Sequence, residues 1–175
     1  AEESFAPSAR NFFFRIDFEL ASINIPGQIR NTVTRRWEDV STTYQRSAGS
    51  RPYLNPKNDI QELAQKWAAG VSDETSKMIN IYEGIKQDFT WDDNFRISVQ
   101  ENPNKLINLK SGSSAELNYL LLGALRSQGI SADPVLISTR KNGYLSISRP
   151  SLTQFNHVIV LVQLQETNQS FLLDA

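Results

Sequence analysis

Residues 111–140 read SGSSAELNYLLLGALRSQGISADPVLISTR, and the local signals in this stretch decide the fold. Ser113 and Glu116 stand three apart, the spacing of a capping box, in which cap and carboxylate satisfy each other's unpaired backbone amides. Gly112 permits the tight turn before them. The leucine-rich run that follows predicts a helix from about Ser114 to Ser127, stopped by Gly129 at a C-cap position. Residues 134–140 then read as a strand. A capping box contributes about 1 kcal/mol and by itself requires no function. Ser114 is different. As the first helical residue it sits where the helix dipole places about half a positive charge. That position suits a thiolate, whereas a hydroxyl there still needs a base to take its proton. Since a first-turn residue has no intrahelical use for its N–H, proline is also expected to be tolerated at Ser114.

Outward from this helix, the N-terminal side is helical back to Asn58. Ile60, Leu63, Ala64 and Trp67 share one face, Gly70 closes that helix, and Ser72 or Asp73 caps the next. The second helix carries Met78, Tyr82, Ile85 and Phe89 at steps of four, three and four. Residues 90–110 hold Trp/Asp-rich turns and a proline and read as an ordered loop. Residues 47–56, SAGSRPYLNP, are the best linker candidate, and residues 34–46 form a short helix around Trp37, Val40 and Tyr44. Upstream, FFFRIDFEL (12–20) alternates like a strand, and Pro26-Gly27 marks a turn. Two more strand candidates, 155–164 and 171–174, end the chain. Helices followed by strands give an α+β pattern.

Composition narrows the chemistry. Eighteen basic and nineteen acidic residues leave a net charge of −1, which offers no electrostatic basis for binding nucleic acid. No apolar run approaches the ~20 residues of a membrane span. Cysteine is absent and histidine occurs once, so thiol catalysis, disulfides and multi-histidine metal sites are excluded. No EF-hand spacing appears. The expectation is no metal and no cofactor.

The lone histidine, His157, lies in an apolar run, where a packed core histidine is the simpler reading. Asp174 shifts that balance. It ends the next strand candidate, and adjacent antiparallel strands would set it beside His157 to orient the ring, as the acid of a triad does. Ser114, His157 and Asp174 are thus the candidate catalytic set. Trp91, Ser113 and Asn156 are candidate cleft residues. Trp91 in particular is either an oxyanion donor through its indole N–H or a packed aromatic.

These residues resemble a family. The 111–140 stretch is similar to the core of the bacterial transglutaminase-like superfamily: Gly-x-Cys-x-Asp/Glu, a Leu-rich helix, Arg, Gly-Ile and a Pro-Val strand. The matching positions are Gly112, Glu116, Leu120, Leu121, Leu125, Arg126, Gly129, Ile130, Pro134 and Val135. FNHVIV (155–160) resembles the family's histidine strand, FLLDA (171–175) its aspartate strand, and YEGIKQDFTW (82–91) the helix before the nucleophile. The resemblance implies a papain-like, cysteine-protease-type α+β core with helices packed on an antiparallel sheet. His157 would be the general base and Asp174 the orienting acid. The nucleophile position falls on Ser114, where the family has cysteine.

Three readings follow. The chain is a pseudoenzyme binding peptide or protein segments in the old cleft, or a serine-using amidase or acyltransferase, or an engineered Cys→Ser form of an active enzyme. Losing a nucleophile can lower turnover about a millionfold while leaving binding, so the binding reading is placed first. Residues 1–55, with the RRWEDV helix, resemble the end of a preceding β-rich domain plus linker, and residues 56–175 the core. The break inside FLLDA suggests a longer parent chain. The resemblance further implies a periplasmic or cell-surface bacterial protein. Oligomeric state has no sequence signal.

Overall fold

Leucine density decides where this chain builds its centre. The computed structural model describes residues 8–12, 22–23, 25–27, 31–32, 36–55 and 58–175. In chain order the elements are strands β1 (Ser22–Ile23) and β2 (Asn31–Thr32) and helices α1 (Trp37–Ser47), α2 (Arg51–Leu54), α3 (Asn58–Trp67) and α4 (Glu74–Asp88). Strand β3 (Thr90–Trp91), helix α5 (Pro103–Leu109), strand β4 (Ser111–Gly112) and helix α6 (Ser114–Ser127) follow. Strands β5 (Ser131–Ile137), β6 (His157–Leu164) and β7 (Gln169–Leu173) complete the order. Two compact units result: Ala1–Arg46 with Ser138–Phe155, and Ser47–Ile137 with Asn156–Ala175.

In the second unit every residue of α6 from Ser114 to Leu125 is buried. A helix apolar all round has no solvent face and must be surrounded. Helices α2, α3 and α4 and strands β5 and β6 pack against it. Close approach is written into the sequence at Gly123, where a Cβ would stand 2.4 Å from the Tyr53 carbonyl oxygen. The sheet has the order β5-β6-β7, antiparallel throughout. Val158, Val160, Val162 and Leu164 of β6 form its inward face on a period of two, and His157 and Ile159 on the other face are buried too, so the first half of the strand is covered on both sides. Pro134 is accommodated because β5 ends the described sheet order, where a missing ladder N–H costs little.

Several elements differ from the sequence expectation. Residues 47–56, read there as a linker, contain α2, whose Tyr53 is fully buried. Its ring lies 6.4 Å from that of Tyr119 and its hydroxyl donates to the Glu101 carbonyl at 2.9 Å. Burial, with Glu116 and Glu101 nearby, pushes the Tyr53 hydroxyl pKa upward. The one large aromatic, Tyr53, decides the packing of this stretch despite its glycine and proline content. The 90–110 loop contains α5, begun by an Asn102 cap that accepts from Lys105 N–H at 2.9 Å, with Pro103 in the first turn. This is a proline-at-N1 start. The first sheet strand begins at Ser131 and ends at Ile137, earlier than 134–140. Most of the 12–20 strand lies outside the described residues; Phe12 itself closes a short 3-10 turn, Ala9–Phe12, and is exposed.

In the first unit, β1 and β2 pair antiparallel about the Pro26-Gly27 turn, with Gly27 at φ 81°. Val40 and Tyr44 form the buried stripe of α1. Trp37 donates its indole N–H to the Ile147 carbonyl at 3.0 Å and meets Phe155 edge-on.

Candidate functional site

The site is assembled where the N-terminus of α6 meets the start of β6 and the end of β7. Ser113 is the N-cap, and the capping box is present: its N–H donates to Glu116 Oε2 at 2.9 Å and its hydroxyl donates to the same oxygen. Glu116 is 3% exposed. Its other carboxylate oxygen accepts from Gln100 N–H at 2.7 Å and Glu101 N–H at 3.3 Å. A buried charge is tolerated when amides satisfy it in this way, close to a helix N-terminus. Glu116 therefore fastens the 99–101 segment to α6. Gly112 gives room here, since a Cβ would lie 2.6 Å from Leu106 Cδ1 and 3.1 Å from Glu116 Cβ, so that those side chains would have to shift.

The register Val160↔Leu173 brings the end of β7 alongside the start of β6. Asp174, one residue past β7, thereby reaches His157, the first residue of β6. Nε2 of His157 lies 2.9 Å from both Asp174 carboxylate oxygens. Asn118, one helical turn after Ser114, ties this pair to α6. Its Nδ2 donates to Asp174 Oδ1 at 2.9 Å and to the Ser114 carbonyl at 3.0 Å, and its Oδ1 accepts from Ala175 N–H at 3.1 Å. Burial acts to raise the Asp174 pKa, but the hydrogen bonds from His157 and Asn118 outweigh it and hold the carboxyl below its ordinary value. An ionised Asp174 keeps the ring proton on Nε2. Nδ1 is left as the acceptor, buried and, among the described residues, without a hydrogen-bond partner.

Ser114 does not supply that partner. Its hydroxyl accepts from Arg96 N–H at 3.0 Å and donates to the Arg96 carbonyl at 3.3 Å. The Ser114 N–H, an amide with no acceptor inside the helix, donates to the Asn94 carbonyl at 3.0 Å. Trp91 donates its indole N–H to the same Asn94 oxygen at 3.1 Å. The short parallel pairing of Trp91 with Gly112 is what sets the indole beside the helix N-terminus. Phe95 lies between, its ring 5.0 Å from the His157 imidazole and 4.9 Å from the Trp91 indole. Ser114 and His157 are 3% and 2% exposed, while the Asp174 side chain is 56% exposed. A cavity of about 240 Å³ adjoins this strap, lined in part by Asp92, Arg96, Gln100, Ser113 and Glu116.

Of the six residues singled out in the sequence, His157 and Asp174 are in direct contact, and Ser114 joins them through Asn118. Trp91 donates its indole N–H at the mouth of the helix. Ser113 turns to Glu116, and the Asn156 N–H donates to the Ile137 carbonyl at 3.2 Å. Asn118 escaped notice, although a polar residue inside LNYLLL is itself a signal. Nothing in the sequence pointed to Asn94–Arg96.

Residues 61–167 match the family model described as the transglutaminase-like superfamily. The chain belongs to that superfamily. The matched span includes Ser114 and His157, and Asp174 follows it. Among solved structures, a "putative protease" from Parabacteroides distasonis is similar at a TM-score of 0.58 and 15% identity. That match covers 79% of this chain and 26% of the other, so this chain spans about a quarter of its length. At such identity the likeness establishes the α+β, papain-like fold alone. No curated protein matches the sequence.

Proposed function

We propose that this transglutaminase-like domain binds peptide or protein segments in the cleft at the N-terminus of α6 and does not carry out acyl transfer. One observation carries the reading: the Ser114 hydroxyl has both hydrogen-bonding roles taken by the Arg96 backbone, while among the described residues none donates to His157 Nδ1. A serine nucleophile requires the opposite arrangement, its O–H directed to the base. A thiolate at this position would need only the imidazolium and the helix dipole, so the surroundings suit the residue the family has rather than the one present.

A second reading is favoured by the Asp174–His157 pair and its Asn118 support, which are the parts an active Ser114 enzyme, or an engineered Cys→Ser form, would keep. The histidine ring separates the two. As the sole histidine, His157 gives unique ring ¹⁵N resonances. The binding reading expects a protonated Nε2 and an Nδ1 resonance typical of an acceptor with no donor. An Nδ1 signal displaced by a bound hydroxyl, and relaxed in Ser114→Ala, would favour the serine enzyme.

A further inference from the structure

Asn94–Arg96 is bound the way a ligand is bound. The Asn94 carbonyl oxygen receives two convergent donors, the Ser114 amide and the Trp91 indole, at 3.0 and 3.1 Å. Paired N–H donors beside a first-turn residue form a cradle for a carbonyl oxygen that gains negative charge or is held as an acceptor. The next residue, Phe95, lays its ring edge-to-face on the imidazole, and the next, Arg96, engages the Ser114 hydroxyl through its backbone. Three consecutive residues of one strap thus contact the three features of the site: donor pair, imidazole and hydroxyl.

The strap is also built to be separable. Residues 91–96 are exposed on their outer side, Phe95 at 48%. The turn before Asn94 is maintained locally, by Asp92 Oδ1 accepting from Asn94 N–H at 3.0 Å, and Asp93 takes a left-handed φ of 65°. That conformation is disfavoured for a residue with a side chain. Beneath the strap, Nδ1 of His157, a residue 2% exposed, has no hydrogen-bond partner among the described residues. A buried polar side-chain atom is seldom left without a hydrogen bond, so Nδ1 is a position able to receive a donor.

We propose that Asn94–Arg96 is a built-in ligand occupying the peptide cleft, and that the segments admitted in its place present a backbone carbonyl followed by an aromatic residue. This rests on the binding reading above for the existence of an external ligand. The strap itself is independent of that reading, because it concerns contacts within the chain. Displacement frees the donor pair for the incoming carbonyl and offers the imidazole face to the aromatic ring, and the backbone of the residue after that aromatic takes both roles of the Ser114 hydroxyl as Arg96 does.

Amide hydrogen exchange tests both parts. The Ser114 N–H has no helical acceptor, so its protection reports the Asn94 contact. In the native chain the Ser114 and Arg96 amides should exchange at least a hundredfold faster than the Leu121 amide, as expected for a strap that opens without unfolding. Equal rates would overturn the proposal, since the strap would then open only with the whole core. In Phe95→Gly, Ser114 exchange should rise at least tenfold further while Leu121 is unchanged. Adding the peptide acetyl-Asp-Asn-Phe-Arg-amide to that variant should return Ser114 to native protection, and the same peptide with alanine for phenylalanine should not. Failure of both peptides to protect Ser114 would overturn the ligand assignment. Failure of the binding reading would show separately, as reaction of Ser114 with an electrophile in the native chain.

Discussion

Asn118 is the residue on which the geometry of the site turns. It is 1% exposed, and its amide bonds the Ser114 carbonyl, the Asp174 carboxylate and the Ala175 amide. Replacing it with alanine removes one of the bonds that hold the Asp174 pKa down, so Asp174 should titrate at higher pH in Asn118→Ala, as read by carboxyl ¹³C shifts. The linkage sign follows. A carboxyl whose folded pKa is depressed adds stability above its unfolded value, near 3.8, and that stability is lost as pH falls through the folded pKa. In Asn118→Ala this acid-dependent part should shrink, while the loss of a buried hydrogen-bonded amide should cost about 1–3 kcal/mol near neutral pH. A variant with native stability and an unmoved Asp174 would show that the bridge is inert. At this scale His157 and Asp174 were legible because strand order alone brings them together. Asn118 was within reach, since an amide in a buried apolar helix requires partners. Asn94 was not, because a carbonyl's partner depends on loop geometry that residue types do not encode.

Among the elements, α6 is the one the sequence specified most completely: cap, register and termination all match the observed Ser114–Ser127. Burial of Leu121 on every side predicts that Leu121→Ala costs about 2–5 kcal/mol in denaturant unfolding. Gly123→Ala should also destabilise, by about 1–3 kcal/mol, because its methyl meets the rigid backbone of Tyr53 rather than a side chain able to move. A Gly123→Ala chain as stable as the parent would mean that α2 does not press on α6 as described. Proline at Ser114 is expected to be less harmless than the helix alone implies, for a reason outside the helix. The first-turn N–H is free of helical duty, as expected, but Asn94 accepts it. Helix α5 was missed although Asn102-Pro103 is an N-terminal signature, because the Trp/Asp-rich residues before it read as continuous turn.

The whole molecule shows why a family pattern survives where single motifs are ambiguous. Gly112, Glu116, Gly129 and the β5 strand each have a local structural reason, and only their order along the chain marks the transglutaminase-like superfamily. Fold was therefore legible at the level of the core unit. The division at Arg46 and Ser138 was less so, because 138–155 leaves the sheet between two paired strands and groups with the N-terminal residues. Among the described residues no helix is long and apolar enough to cross a membrane. The central claim is that the preserved acid–histidine pair no longer has a nucleophile to serve. Treating the native protein with a fluorophosphonate probe tests it most directly. The account predicts no adduct at Ser114 by mass spectrometry, in the native chain or in His157→Ala; an adduct at Ser114 that disappears in His157→Ala would contradict it.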